Sequence, residues 1–145
     1  MNKLVLAFLL TLSFNSSINA QQYAIIDRKL KQPLQYANTI TDEQLNKGYF
    51  AIEKKNIEPI ILKLDSLRKR LREVARETYD QTSWDIGTTR LTVKVIKFPV
   101  ADRLNIGLAT NTGDGYNKEF YIVDGKLTNN DNARYLAKLI KYIRQ

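Results

Sequence analysis

The spacing of apolar residues changes period twice between residues 57 and 144, and this constrains the fold more than any other feature of the chain. Ile60, Leu64, Leu67, Leu71 and Val74 recur every three or four residues, which makes one apolar stripe on a helix running from near Asn56 to about Glu77. Asn56 is placed to cap that helix, and Pro59 is tolerated in its first turn. The period then becomes two. Leu91, Val93 and Val95 alternate with Thr92 and Lys94; Leu104, Ile106 and Leu108 alternate with Asn105 and Gly107; Phe120 and Ile122 lie opposite Tyr121 and Val123. Each stretch reads as a half-buried strand. From Asn130 or Asp131 the helical period returns in Ala133, Leu136, Ile140 and Ile143.

The order α-β-β-β-α predicts an α+β fold, an antiparallel β-meander with two helices packed on one face. Between these elements, Tyr79–Thr88 reads as a loop, Asn111–Asn117 as a longer glycine-rich loop, and Asp124-Gly125 as a tight turn that returns Leu127 to the sheet edge. The face away from the helices presents Arg90, Thr92, Lys94, Asn105, Gly107 and Tyr121. With Ile96 and Val123 on the same side, part of it is expected to be covered. The element order is similar to that of double-stranded-RNA-binding domains, but the chain carries none of that family's loop and helix-start motifs.

Residues 21–56 read as an N-terminal extension of the 57–145 core, the two making a single globular domain. Tyr23–Asp27, Leu34–Ala37 and Tyr49–Glu53 are strand candidates. Thr41-Asp42-Glu43-Gln44 fits a capping box, in which the Thr hydroxyl and the Gln side chain satisfy free backbone groups at a helix start. Gly48 stops that short helix. The extension is expected to lengthen the sheet or wrap its edge.

Residues 1–20 have the pattern of a cleaved signal peptide: Lys3 near the start, an apolar run from Leu4 to Leu12, a polar stretch, and Ala20. The apolar run is shorter than the roughly 20 residues a membrane span takes. The mature chain is then expected to begin at Gln21, periplasmic or secreted, with no transmembrane segment. The chain has no cysteine, which excludes disulfides and thiolate chemistry, and no histidine, which removes the usual general base and the commonest metal ligand. No Asn-x-Ser/Thr acceptor lies beyond residue 20. A bacterial envelope is the expected setting, and no cofactor or metal is implied.

The formal charge of +8 suits anionic partners, or serves solubility alone. Two groups of residues are candidates for binding. By the connectivity of a meander, the loop entering its first strand and the loop leaving its second are neighbours. These loops bring together Tyr79, Trp84, Asp85, Asn111, Asp114 and Tyr116, an aromatic and carboxylate mixture suited to recognition. The plainer reading has Trp84 plugging the end of the core and the Asp and Asn residues shaping turns. Arg68, Arg72 and Arg76 lie four apart and form a row on one helix face, either a contact stripe for phosphates or carboxylates or a solvated face with local pairs such as Asp65–Lys69 and Arg76–Asp80. Ser66-x-x-Lys69 matches a serine-hydrolase spacing, but Ser66 is mid-helix and the companion motifs are missing.

The expected function is a small exported, non-enzymatic binding protein that recognises another envelope or secreted protein, as an inhibitor, immunity factor or assembly subunit. The alternatives are a carboxylate-based cell-wall hydrolase using Asp85 and Asp114, and a binder of anionic envelope polymers through the arginine row. Nucleic acid is not an expected partner of an exported protein.

Overall fold

A computed structural model describes residues 21–123, 126–127 and 132–145. The candidate signal peptide, the Asp124-Gly125 turn and the helix start at Asn130 or Asp131 lie outside the described residues, as do the side chains of Val123 and Ala133. The fold is α+β. Strand β1 (Tyr23–Asp27), β2 (Gln35–Ala37), helix α1 (Asp42–Asn46) and β3 (Tyr49–Glu53) are followed by a 3₁₀ turn (Lys54–Asn56). Then come α2 (Ile57–Lys69), α3 (Leu71–Glu77), β4 (Gln81–Ile86), β5 (Thr89–Ile96), β6 (Asp102–Thr110), β7 (Gly113–Val123), β8 (Lys126–Leu127) and α4 (Asn132–Ile143). Among the described residues no helix is long and apolar enough to cross a membrane.

Strands β4 to β8 form one antiparallel meander in sequence order. It contains two strands beyond the three that the apolar pattern marks. The Tyr79–Thr88 segment is mostly strand β4, because Thr82, Trp84 and Ile86 alternate with Gln81, Ser83 and Asp85 and pair with β5 in register. Its inward positions include a threonine and its outward ones are all polar, so the alternation is weak in apolar terms. Gly87, at φ +59°, opens the two-residue turn to β5, where a positive φ favours glycine. The Asn111–Asn117 segment is likewise not a long loop. The turn is Asn111-Thr112, and β7 begins at Gly113. A register shift between Gly107 and Ala109 bulges this hairpin. Gly115 is required there, since a Cβ at that position would sit 2.5 Å from the Phe50 ring on β3.

The helix expected over 56–77 is interrupted at Arg70 (φ −113°, ψ 23°), which separates α2 from α3. The apolar stripe nonetheless stays inward across the break: Ile60, Leu64, Leu67, Leu71 and Val74 are all buried. Asn56 does not cap α2. Its side chain makes no capping bond, and its Nδ2 is buried without a partner against Gly87. The Thr41–Gln44 capping box does form, with Gln44 N donating to Thr41 Oγ1 at 3.2 Å and Thr41 N to Gln44 Oε1 at 3.0 Å. Gly48, at φ +84°, follows at the stop of α1.

Helices α2 and α4 pack on each other and on the inner face of the meander. Leu91, Val93, Leu104, Ile106 and Phe120 project from that face into one cluster with Leu64, Leu136, Leu139 and Ile143. Each such side chain stabilises the fold by roughly 1.5–3 kcal/mol on burial. The N-terminal segment does not lengthen the meander. It makes its own antiparallel sheet, ordered β2-β1-β3, and β3 lies against β6 and β7. Ala24, Ile26, Phe50 and Ile52 join the same cluster, so this sheet packs on the helix side. The opposite face of the meander carries exposed Arg90, Lys94, Asn117, Glu119 and Tyr121, and no described element covers it.

Candidate functional site

The meander places the two candidate hairpin ends together. Arg90 pairs with Ala109, so the Gly87-Thr88 turn adjoins Asn111-Thr112. Asp85 and Asn111 line one shallow hollow of about 480 Å³ with Thr88, Thr89, Arg90 and Thr110. The other members of the aromatic and carboxylate group lie elsewhere. Tyr79, fully accessible at 94 %, and Trp84 line a groove of about 370 Å³ between α2, α3 and β4. Trp84 stands on the inner side of β4 rather than on a loop. It packs half-buried against the core, with Lys63 Nζ 3.9 Å from its ring centre. Tyr116 is inside the core, where burial pushes its phenol up to about 12. Asp114 is exposed on β7 opposite Ala109.

Asp85 and Asp114 lie on strands with two others between them, and Asp85 is held by Arg90. The residues Asp85, Arg90, Ala109 and Asp114 make one row across four strands. Three strand spacings of about 4.8 Å put the two backbones about 14 Å apart, with Arg90 and Ala109 between them. Asp85 is also ion-paired with Arg90 at 2.6 Å, which holds its carboxyl below the ordinary range. A general acid needs the opposite shift.

The break at Arg70 divides the arginine row. Arg68 is partly buried on α2 and bonded to Asp65 at 2.7 Å, a carboxylate that Lys69 also engages at 2.7 Å. These two cations, Lys69 ahead of Arg68, lower the Asp65 pKa to about 2. On α3, Arg70 takes both acids, Glu73 at 2.7 Å and Glu77 at 3.1 Å. The expected Arg76–Asp80 pair does not form. Among the described residues Arg72 and Arg76 have no acidic partner, and both line a hollow of about 180 Å³ with Lys126.

The outer face of the meander holds a feature that single-strand patterns miss. Arg103 and Tyr121 are cross-strand partners, and the Arg103 guanidinium lies 4.4 Å from the Phe98 ring centre and 5.2 Å from that of Tyr121. Its Nη1 also bonds Glu119 Oε2 at 3.0 Å. Alternation places Tyr121 on this face; the Arg103 register and the return of Phe98 from the β5–β6 turn come only with strand pairing. No protein-family model, curated protein or solved structure matches the chain.

Proposed function

We propose that this chain is an exported, non-enzymatic binding protein of a bacterial envelope, and that it recognises another protein through the outer face of its five-stranded sheet. The observation that carries this reading is the Phe98–Arg103–Tyr121 stack on a sheet face that no described element covers. Arginine and tyrosine dominate interface energetics when desolvated at the centre of a contact. Here the guanidinium is already held by a ring and a carboxylate, so little side-chain freedom remains to be lost on binding. Further along β5 and β6 on the same face, Thr92, Gly107 and Ala109 are small and keep the surface low, which lets a flat partner approach. Residues 1–20 and the lack of cysteine support export to a bacterial envelope.

The test is capture of partners by tagged protein from periplasm under mild crosslinking, with Arg103→Ala run in parallel. The wild-type protein should retain a specific partner and the variant should bind it about thirtyfold more weakly, the effect of losing a residue worth about 2 kcal/mol. No partner above background, or equal recovery with Arg103→Ala, would overturn the assignment. Sequencing of the exported protein should show a chain beginning at Gln21.

A further inference from the structure

A second surface, separate from the sheet face, lies along α3. The hollow formed by Arg72, Arg76 and Lys126 is floored by Ala75, Ile122 and Leu127. It continues into a neighbouring hollow of about 340 Å³ that shares Ala75, Arg76 and Ile122 and reaches Tyr79 and Lys97. Among the described residues the one acid lining this groove, Asp102, is bonded to Lys97 at 2.7 Å. Arg70 meanwhile holds Glu73 and Glu77, and neither acid is ion-paired with Arg72 or Arg76. The second observation is apolar. Tyr79 lines the groove at 94 % exposure, and Val100, 93 % exposed, sits on the turn between the groove residues Lys97 and Asp102.

We infer that this groove docks the protein on an anionic membrane surface, with Arg72, Arg76 and Lys126 on lipid phosphates and Tyr79 and Val100 entering the interfacial layer. Cations with no acidic partner among the described residues, set above an apolar floor, match a headgroup phosphate above the start of an acyl chain. Tyrosine is the side chain suited to that depth, having an apolar ring and a polar tip. Each cation near an anionic surface contributes about fivefold in affinity, an effect that salt screens. A soluble phosphate would use the cations but leave Tyr79 and Val100 without a role.

The experiment is flotation of the full chain with vesicles of phosphatidylglycerol and phosphatidylcholine against phosphatidylcholine alone. The protein should float only with the anionic vesicles, and less as salt rises. Arg72→Gln with Arg76→Gln should weaken binding about 25-fold. Tyr79→Ser with Val100→Ser, at exposed positions that do not carry the fold, should weaken it with the charge intact. The inference is overturned if the protein does not float, if the arginine variant floats like the wild type, or if inorganic phosphate binds at the arginines while vesicles do not. Arg103→Ala should float normally, so this result and the fate of the sheet-face proposal are read independently.

Discussion

The Tyr142 hydroxyl, near the end of α4, accepts a hydrogen bond from the backbone N–H of Asp27 at 3.3 Å and donates one to the Gln32 carbonyl at 2.6 Å. It thereby fastens the turn after β1 to an element 115 residues away in sequence. Tyr142→Phe keeps the ring and removes both bonds. The expected loss is about 1–3 kcal/mol, since the Gln32 carbonyl and Asp27 N–H lose a partner at a partly buried site. Urea denaturation checks this.

The same turn is organised by the Asp27 carboxylate, which accepts from the backbone N–H groups of Lys29, Lys31 and Gln32 at 2.9, 2.9 and 3.0 Å. Burial pushes this carboxyl up, but the three amide donors outweigh it and the group titrates below the ordinary range. A depressed folded-state pKa contributes stability that is present above about pH 4 and is lost as pH falls through the folded value. Stability measured by denaturant should therefore decline below about pH 4. Asp27→Asn should be less stable at neutral pH and show a shallower decline.

Tyr116 acts at alkaline pH in the opposite sense. Its phenol, pushed to about 12 by burial and secondarily by Tyr135, favours the protonated form in the fold. That contribution is complete below about pH 10 and is lost as pH rises from about 10 towards 12. Ultraviolet titration should show two late phenols among the 8 tyrosines, Tyr116 and Tyr142, both raised by burial, and Tyr116→Phe should remove one of them and flatten the alkaline loss of stability.

Gly115 and Phe50 should be coupled. An alanine Cβ at position 115 would meet Phe50 Cδ2 at 2.5 Å, and the ring is fully buried. Gly115→Ala should cost about 1–3 kcal/mol by overpacking. Adding Phe50→Leu should recover part of that loss, so the double variant is more stable than the sum of the single effects allows. Simple additivity in thermal or denaturant melts would show that β3 retreats from β7 without strain.

The two helical stripes and the three apolar strands were legible because burial imposes its period directly on residue type. Strand β4 was hidden because its inward row contains Thr82 and its outward row looks like a loop. The start of β7 was hidden by Gly113 and Gly115, one positioned by the hairpin and the other by the approach of Phe50. Extending the alternation of Phe120 and Ile122 backwards puts Tyr116 on the inner face, so its burial was available once the glycines were read as strand. Connectivity alone placed Asp85 near Asn111. The Phe98–Arg103–Tyr121 stack and the meeting of Arg72 and Arg76 with Lys126 depend on register and on the break at Arg70, which no local pattern encodes.

The sequential strand order of the meander bears on the course of folding. Every pairing from β4 to β8 joins neighbours in the chain, and β1, β2 and β3 also pair within one short stretch. Such sheets can zip from their own turns at low entropic cost, whereas α2 must wait for α4. On this topology the long-range helix contact and the Tyr142 clamp are expected to close last, a late latch over two sheets assembled early. Tyr142→Phe should leave the refolding rate nearly unchanged and speed unfolding, the signature of a contact absent from the transition state.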